Sequence, residues 1–350
     1  MPNHSTQSHH HRTILLQDTS STGKKHPWRE RKMTSRAVAA SMYRIWKAHP
    51  RRDAAFKKRA DRLWHCGDAL AFGEHVDTET GEVVKRLDAA NFCRDRMCPM
   101  CQWRKSLVTF HQVSQIMDRI DAERPGLVPL FLTLTMKNVS AAGLANAITR
   151  ILKAWSRMMV LKAHNRRPHR VAVGWMRVLE ITYNPKSREW HPHVHAIVLV
   201  EPDYFEDPAK YIDHDAWVSE WRWAMRADYD PSVDVRTIKN DRAHAVAEVS
   251  KYAVKPGEWL RAQPEDTDAN VRLLATTLKG RRLVAFGGLM MAVRKALKQE
   301  DAETADLVRT GDDAEMRGDL RVALERYEWQ AGVTNDYVLV DRIREAPESE

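Results

Sequence analysis

The chain has 350 residues, of which 43% are hydrophobic, so it can bury a core as one large domain or two ordinary ones. Its 56 Lys and Arg against 47 Asp and Glu give a formal net charge of +9, which favours polyanionic partners, nucleic acid before anionic membrane. No apolar run reaches the roughly 18 residues of a membrane span, so we expect no membrane partner.

The N-terminal residues are rich in His, Ser and Thr and lack the apolar stretch of a signal peptide, which predicts a disordered leader over 1–26. The run His9–His11 could bind metal incidentally, but we interpret it as a solvated tract. Without an export signal we expect a cytoplasmic protein, and in a reducing cytoplasm cysteines ligate metals more readily than they form disulfides.

A basic helical and cysteine-rich module is expected over 27–110. Ala39, Met42, Ile45 and Trp46 recur at helical spacing, which predicts a helix early in this module. The basic stripe on that helix could lie along phosphates or simply face solvent.

Four cysteines in this module indicate a structural zinc site. Cys98 and Cys101 form a C-x-x-C pair, a spacing that lets two thiolates bind one tetrahedral Zn²⁺, and Cys93 and Cys66 supply the remaining thiols. His65 could replace one ligand. A redox dithiol and plain buried thiols are the alternatives.

The cysteines lie among cations that would suit a DNA-facing zinc finger. These candidate DNA-binding residues are Arg94, Arg96, Arg104 and Lys105.

Residues 125–260 alternate strands and helices in the order β-α-β-β-α-β-α, which predicts an α+β fold with an antiparallel sheet in a split βαβ, ferredoxin-like layout. The expected strands are 128–138, 171–184, 190–202 and 232–240, and the expected helices are 144–164, 215–229 and 243–255. The turn NPKSRE between the second and third strands predicts a hairpin. A mostly helical extension is expected over 261–350, with a helix around 320–329 that packs on its own domain or mediates dimers.

Three histidines lead the third strand, in HPHVHAIVLV. Residues two apart in a strand share a face, so His191, His193 and His195 project together. The apolar run behind them predicts a central strand covered on both faces, where imidazoles are held rigidly and suit a metal site. Half-buried histidines that only form hydrogen bonds are the alternative.

A third ligand is expected from Glu180 on the neighbouring strand. A carboxylate within an apolar strand is costly unless it is paired or coordinated, and the hairpin turn brings position 180 alongside the histidines. Two imidazoles and a carboxylate leave positions open for water or a phosphate oxygen. A salt bridge from Glu180 to Arg177 or Lys186 is the alternative.

A tyrosine stands among charged residues in the segment EVSKYAVK. Glu248 and Tyr252 are four residues apart and share a helix face, Lys255 joins that face, and Lys251 lies at its flank. A phenol between a carboxylate and an ammonium is a candidate nucleophile. Ordinary Glu–Lys pairs with an interface tyrosine would give the same pattern.

FLTLTMKN, HPHVHAIVLV and EVSKYAVK, in this order, resemble the three motifs of rolling-circle plasmid replication initiators, the Rep proteins of the HUH endonuclease superfamily, in the branch with one catalytic tyrosine. The resemblance covers 128–258, and GRRLVAFGGL at 280–289, HPWRERK and the cysteine module resemble further parts of this branch.

The resemblance implies roles for the metal-binding motif. His193 and His195 match the histidine pair, His191 precedes them and could join them, and Glu180 matches the upstream acidic ligand of a catalytic Mg²⁺ or Mn²⁺. The first motif supplies Thr133, Thr135 and Asn138, with a structural or DNA-positioning role.

For the tyrosine motif, the resemblance makes Tyr252 the nicking nucleophile and Glu248 the glutamate implicated in termination. Lys251 and Lys255 match the lysines that flank the tyrosine. The implied activity is a metal-dependent nick in plasmid origin DNA, single-stranded at the nick site, that leaves a 5′-phosphotyrosine link and a 3′-hydroxyl primer. Host helicase and DNA polymerase are the implied partners, and the protein could form a homodimer.

Other functions remain open from the sequence. An HUH transposase or relaxase would share the chemistry. A zinc hydrolase that uses two histidines and a glutamate would turn over a substrate without a DNA adduct, and a non-catalytic zinc-finger DNA-binding protein would not need the tyrosine.

Overall fold

The computed structural model describes residues 13–20, 23–161, 164–239, 242–251, 256–260, 263–310 and 320–344. In these ranges the chain is an α+β protein with two antiparallel sheets. The helices are α1 Trp28–Ala48, α2 Ala54–Trp64, α3 Pro99–Glu123, α4 Leu144–Trp155, α5 Arg167–Val171, α6 His214–Met225, α7 Arg242–Ser250, α8 Pro256–Trp259, α9 Pro264–Thr277 and α10 Gly288–Ala296. The strands are β1 Ala69–Val76, β2 Val83–Ala90, β3 Val128–Thr135, β4 Gly174–Asn184, β5 Glu189–Val200, β6 Val233–Thr237, β7 Val284–Gly287, β8 Leu320–Gln330 and β9 Asp336–Arg344.

The central sheet has five strands in the order β6-β3-β5-β4-β7. The hairpin predicted at NPKSRE is confirmed, since β4 and β5 pair antiparallel from Asn184 opposite Glu189 onward. Strand β5 lies between β3 and β4, so the two strands connected through α4 are not neighbours.

Both faces of the central sheet are covered, as the apolar run in β5 predicts. On one face Val194, Ala196 and Val198 join the core that includes α4 and α6. On the other face Ile197 and Leu199 pack in a separate core with α3, α7 and α10. The histidines have the same parity as Ile197, so they project toward the side covered by α3 and α7.

The second sheet joins the cysteine module to the end of the described chain, in the order β2-β1-β8-β9. The helical extension predicted over 261–350 is therefore wrong for 320–344, which forms a hairpin, although α9 and α10 are helical. The helix expected at 320–329, with its packing or dimer role, is strand β8. Its alternate side chains Ala323, Glu325 and Tyr327 are buried, as a strand requires.

The leader prediction also needs correction. Residues 13–20 are ordered along β9, where the Leu16 amide donates to the Tyr337 carbonyl and the Leu339 amide donates to the Ile14 carbonyl. Leu16 is buried. The run His9–His11 lies outside the described residues.

Two elements are shorter than predicted, because short helical segments replace the end of one helix and the start of one strand. The helix expected over 144–164 ends at Trp155 and continues as a π-turn at Ser156–Val160. The strand expected from 171 begins at Gly174, because Arg167–Val171 forms α5. None of the helices in the described ranges combines the length and apolarity needed to cross a bilayer.

Candidate functional site

Glu180, His193 and His195 meet on one face of the central sheet. Glu180 on β4 stands directly opposite His193 on β5, and its Oε2 lies 3.4 Å from His193 Nε2 and 3.1 Å from His195 Nε2. One donor atom from each residue falls within 4.8 Å of the others. We call these three residues the histidine–glutamate cluster. The carboxylate is almost fully buried, at 2% exposure, while His193 keeps 8%.

The hydrogen bonds of the rings direct both Nε2 atoms toward this carboxylate. His193 Nδ1 donates to the backbone carbonyl of His191 at 3.1 Å, so its proton is on Nδ1 and Nε2 keeps its lone pair. His195 Nδ1 lies 3.0 Å from the Thr133 hydroxyl on the adjacent strand β3. Such partners behind an imidazole fix the ring that faces a metal.

His191 stands beside the histidine–glutamate cluster. Its Nδ1 donates to Asn138 Oδ1 at 2.8 Å, and its ring lies 5.2 Å from that of His193. Burial lowers the pKa of His191, and the nearby His193 lowers it further. The structure thus places the third histidine next to the three converging donors, on the solvent side.

The donor set of the histidine–glutamate cluster fits a divalent cation. Two imidazole nitrogens and one carboxylate oxygen converge, and three protein ligands leave coordination positions open. The alternative partner Arg177 projects to the opposite face of β4, where its guanidinium donates to the carbonyls of Arg282 and Leu283. Glu180 Oε2 instead lies close to the Nε2 atoms of both histidines.

Helix α7, which carries Glu248 of the tyrosine motif, packs on the same face of the sheet. Val246 and Val249 pack in the core that contains Ile197 of β5. Glu248 forms an ion pair with Lys251 and lies 3.8 Å from His244 Nε2. Tyr252 and Lys255 lie outside the described residues.

The four cysteines converge in a second cluster. Cys66 Sγ lies 3.5 Å from both Cys98 Sγ and Cys101 Sγ, and Cys93 Sγ lies 3.7 Å from Cys101 Sγ. Four sulfurs around one tetrahedral Zn²⁺ would stand about 3.8 Å apart, given a Zn–S distance of about 2.3 Å. The four-thiol cluster therefore fits zinc in donor type and in spacing.

The backbone around the four-thiol cluster is arranged for negatively charged sulfur. Amides of Cys93 and Arg94 donate to Cys66 Sγ at 3.3 Å and to Cys101 Sγ at 3.2 Å. Burial raises the pKa of the Cys98 thiol, but hydrogen bonds from the other thiols and from Ser35 outweigh it, so this pKa lies well below its ordinary value. Hydrogen bonds within the cluster and burial raise the pKa values of the Cys66, Cys93 and Cys101 thiols, so Cys98 carries the negative charge. His65 is not among the converging donors, because it faces outward and pairs with Asp68 at 2.7 Å.

The four cations predicted to contact DNA have partners within the chain. Arg94 donates to the Thr304 carbonyl, Arg96 to the carbonyls of Leu278 and Arg281, Arg104 to those of Leu307 and Val308, and Lys105 pairs with Glu303. For Arg104 the prediction is wrong, because its side chain is buried and stacks near Trp28. The four residues hold the 278–308 segment against the cysteine module.

Sequence reasoning missed the polar residues that support the four-thiol cluster. Lys32 is fully buried, and its ammonium donates to the Trp64 and Cys66 carbonyls, each at 2.9 Å, and pairs with Asp68. Ser35 Oγ lies 3.4 Å from Cys98 Sγ. Both residues fall on the apolar stripe of α1, and that misplaced polarity was the available signal.

The family model for replication proteins, Rep_1, matches residues 84–338. The chain belongs to this family, so the protein is a plasmid replication initiator.

Curated relatives align along nearly the whole chain. "Protein rep" of Lentilactobacillus hilgardii is 34% identical over 306 residues, covering 85% of this chain and 91% of that protein. "Protein rep" of Streptococcus pneumoniae serotype 2 is 32% identical over 330 residues, covering 93% and 95%. "Protein rep" of Bacillus amyloliquefaciens is 32% identical over 346 residues, covering 93% and 97%. No solved structure matches the chain.

Proposed function

We propose that this initiator is an HUH endonuclease of the single-tyrosine branch that nicks one strand of its plasmid origin. The observation that carries the proposal is the convergence of Glu180, His193 and His195 from adjacent strands onto one open donor set. The activity is assigned to the core over 125–260, where β5 lies between β3 and β4, in keeping with the split βαβ, ferredoxin-like layout of that superfamily.

In the proposed reaction the Tyr252 hydroxyl attacks the scissile phosphate. A P–O bond to tyrosine forms while the bond to the 3′-oxygen breaks, and the phenolic proton is transferred to the departing 3′-oxygen or to solvent. The product is a 5′-phosphotyrosine link and a free 3′-hydroxyl. The energy of one phosphodiester is retained in the other, so the step is reversible and needs no nucleotide cofactor.

The residues of the chain prepare this attack in separate ways. A bound Mg²⁺ or Mn²⁺ would polarise a phosphate oxygen. Glu180, His193 and His195 would hold that ion, with Thr133 and the His191 carbonyl keeping the rings in place. Tyrosine has an ordinary pKa of about 10 and is a weak nucleophile at neutral pH, so the ammonium of Lys255 would favour its ionised form.

Glu248 is proposed to act at the end of replication. A single tyrosine cannot both hold the first strand and attack a second time, so a water molecule must serve as the second nucleophile. The Glu248 carboxylate forms an ion pair with Lys251 at the end of α7. It would accept a proton from the attacking water molecule.

The partners follow from the products of the reaction. The 3′-hydroxyl would prime a host DNA polymerase, and the strand ahead of it would need a host helicase. The nick site would be single-stranded, as the resemblance to this superfamily implies. A homodimer at the origin is compatible with this scheme.

The four-thiol cluster is proposed to bind structural Zn²⁺. Four protein ligands close the coordination sphere, which suits a structural site and leaves no position for substrate. In this assignment Cys66, Cys93, Cys98 and Cys101 fix the start of α3, whose later turns cover the sheet.

The proposal is tested by incubating the protein with a single-stranded origin oligonucleotide and Mn²⁺, followed by denaturing electrophoresis. We expect a covalent protein–DNA conjugate. Tyr252→Phe should abolish both the conjugate and the nick while origin binding persists. Tyr211→Phe is the matched control at an exposed tyrosine, and it should leave nicking unchanged. Nicking by Tyr252→Phe would contradict the proposal.

Glu248→Ala separates initiation from termination. The first nick should proceed at nearly the wild-type rate, whereas release of the protein from a circularised product should fall. The measurement is a single-turnover nicking assay beside a plasmid replication assay that scores closed circles. An equal loss in both assays would reject the assignment to termination.

A further inference from the structure

A cavity of about 330 Å³ lies where α3, the end of α7 and β7 meet the 301–304 segment. This volume is near the lower end of the range of about 300–1,000 Å³ in which small ligands bind. The apolar part of its lining comes from Val178, Leu283, Val284 and Phe286. We call this space the β7 cavity.

The β7 cavity adjoins the histidine–glutamate cluster along β4. Val178 lines the cavity, and Glu180 lies two residues further on the same face, about 7 Å away at the usual rise of a strand. Lys251 also lines the cavity, immediately before the nucleophile motif residue Tyr252. The distance from the β7 cavity to Glu180 is therefore about the length of one nucleotide along a DNA strand.

Cations outnumber acids in the lining of the cavity, and some of the cations already have partners within the protein. Six cations and two acids contribute, namely Arg96, Lys105, Lys251, Arg281, Arg282, Arg294, Asp301 and Glu303. Glu303 pairs with Arg96 and Lys105, and Arg281 donates to groups on α4 and α9. These three cations serve the fold.

Two arginines of the lining, Arg282 and Arg294, make few or no contacts through their guanidinium groups in the described part of the chain. Arg282 is exposed, and its guanidinium has no hydrogen bond or ion pair within the part of the chain that the structure describes. Arg294 gives one hydrogen bond to the Glu300 carbonyl and lies 4.9 Å from the centre of the Phe286 ring. An apolar lining with an arginine at its rim suits a base and its phosphate together.

We propose that the β7 cavity binds one unstacked nucleotide of the origin strand next to the nick. The base lies on the apolar lining near Phe286, and its phosphate lies at Arg282. This inference rests on the proposed nicking function and adds to it the element that sets which phosphate reaches the histidine–glutamate cluster. The cavity would thereby fix the position of the cut along the strand.

The test is a scan of abasic substitutions along a single-stranded origin oligonucleotide, with affinity measured without added Mg²⁺ or Mn²⁺. For the wild type, removal of one base next to the nick should weaken binding about 10-fold, the effect of one stacked base. Ala302→Trp fills the cavity from its 301–304 side. In this variant the intact oligonucleotide should bind about 10-fold more weakly, and the same abasic substitution should cost nothing more.

A second variant keeps the proposal testable if tryptophan disturbs folding. A neutral methylphosphonate at the phosphate of that nucleotide should weaken binding to the wild type several-fold but should not weaken binding to Arg282→Ala. Arg326→Ala removes the same charge on β8, and Ala209→Trp adds the same bulk at an exposed turn. Both controls should keep the wild-type sensitivity to the abasic and methylphosphonate substitutions.

The outcomes separate the two proposals. The nucleotide site would be overturned by two results together. The abasic substitution would weaken binding equally in the wild type and Ala302→Trp, and the methylphosphonate would weaken binding equally in the wild type and Arg282→Ala. A scan with no distinct position would overturn it as well. The covalent conjugate is measured separately with Mn²⁺, so a wild-type protein that shows the coupling without any conjugate would reject nicking and retain the cavity as a nucleotide site.

Discussion

The four-thiol cluster and the histidine–glutamate cluster place metal-binding side chains in opposite settings. Cys66, Cys98 and Cys101 are at most 1% exposed, and Cys66 and Cys101 receive backbone amides. His193, on the middle strand of the central sheet, is one of only three converging donors. Four donors close a site and three leave it open. In the proposed assignments, the number of donors distinguishes the structural site from the reactive site more clearly than the chemical type of the donors does.

Helix α3 connects the two clusters. It begins at Pro99, directly after Cys98, and its later residues Val113 and Ile116 pack in the core with α7 and β5. An ion in the closed cluster would therefore fix the helix that covers the open one. Damage to the thiols should reach the nicking site, whereas damage to the histidines should stay local.

Cys98→Ser should produce the largest effect. Zinc binding in small structural sites contributes about 10–16 kcal/mol to folding, so we expect loss of the bound zinc and a fall in unfolding free energy of roughly 5 kcal/mol or more, with nicking lost as well. Metal analysis of purified protein and calorimetry are the measurements. A wild-type protein that contains no zinc would show that the cysteines are plain buried thiols, and loss of zinc at unchanged stability would show that the ion is not structural.

His195→Ala should break the open cluster alone. Nicking should fall by about 10²–10³-fold, as is typical when one charge-stabilising group of a reaction centre is removed, while the melting temperature changes little. His191→Ala is the control on the same strand face, and its loss should be about tenfold smaller because its ring is outside the converging donors. Equal losses would mean that His191 is a ligand.

Thr133→Val should weaken the open cluster indirectly. The hydroxyl that lies 3.0 Å from His195 Nδ1 is replaced by a methyl group of similar size, and loss of such a partner costs about 10–100-fold in metal affinity or activity. The Mn²⁺ concentration for half-maximal nicking should rise. Thr135→Val on the same strand removes a bond to the Ser232 carbonyl instead and should leave that concentration unchanged.

Arg94→Ala should produce the smallest effect and tests whether this cation contacts DNA or only holds the 301–304 segment. Its bond to the Thr304 carbonyl contributes about 0.5–1.5 kcal/mol to stability, and alanine keeps the same positive-φ backbone, where φ is 58°. DNA affinity should change less than twofold in a filter-binding assay. A tenfold loss of affinity with unchanged stability would restore the DNA-contact role for Arg94.

The sequence predicted the central sheet well because its signals are local. The NPKSRE turn pairs β4 with β5, and once they pair, alternation alone places Glu180 beside His193. The C-x-x-C spacing likewise brings two thiols together without knowledge of the fold. The donor set of the histidine–glutamate cluster and the C-x-x-C half of the four-thiol cluster follow from such short-range rules, whereas Cys66 lies 32 positions before Cys98.

The second sheet was not predictable by the same rules. Strand β8 pairs with β1, with Tyr327 opposite Leu70, and this contact is set by a partner distant in the chain. Glu325 can be buried in β8 because Lys85 and Tyr327 bind its carboxylate. This charged residue interrupts the apolar face of β8, so the sequence of the strand is equally compatible with a helix. Sequence periodicity cannot show a charge that a remote strand neutralises.

The contacts of the basic residues in the cysteine module could not be predicted for a related reason. A cluster of arginines suggests nucleic acid, but Arg96 and Arg104 satisfy carbonyls of a segment that lies far along the chain. Exposed cations and cations that hold backbone look alike in sequence. Only the position of the 278–308 segment distinguishes them.

The most direct test of the account is to map the DNA attachment site by mass spectrometry of the trypsin-digested conjugate formed with Mn²⁺. The account predicts that the nucleotide mass is carried by the peptide that begins at Tyr252, as a phosphate ester of its hydroxyl. Attachment to another residue, or cleavage of the origin strand with no attached nucleotide at any time point, would contradict it.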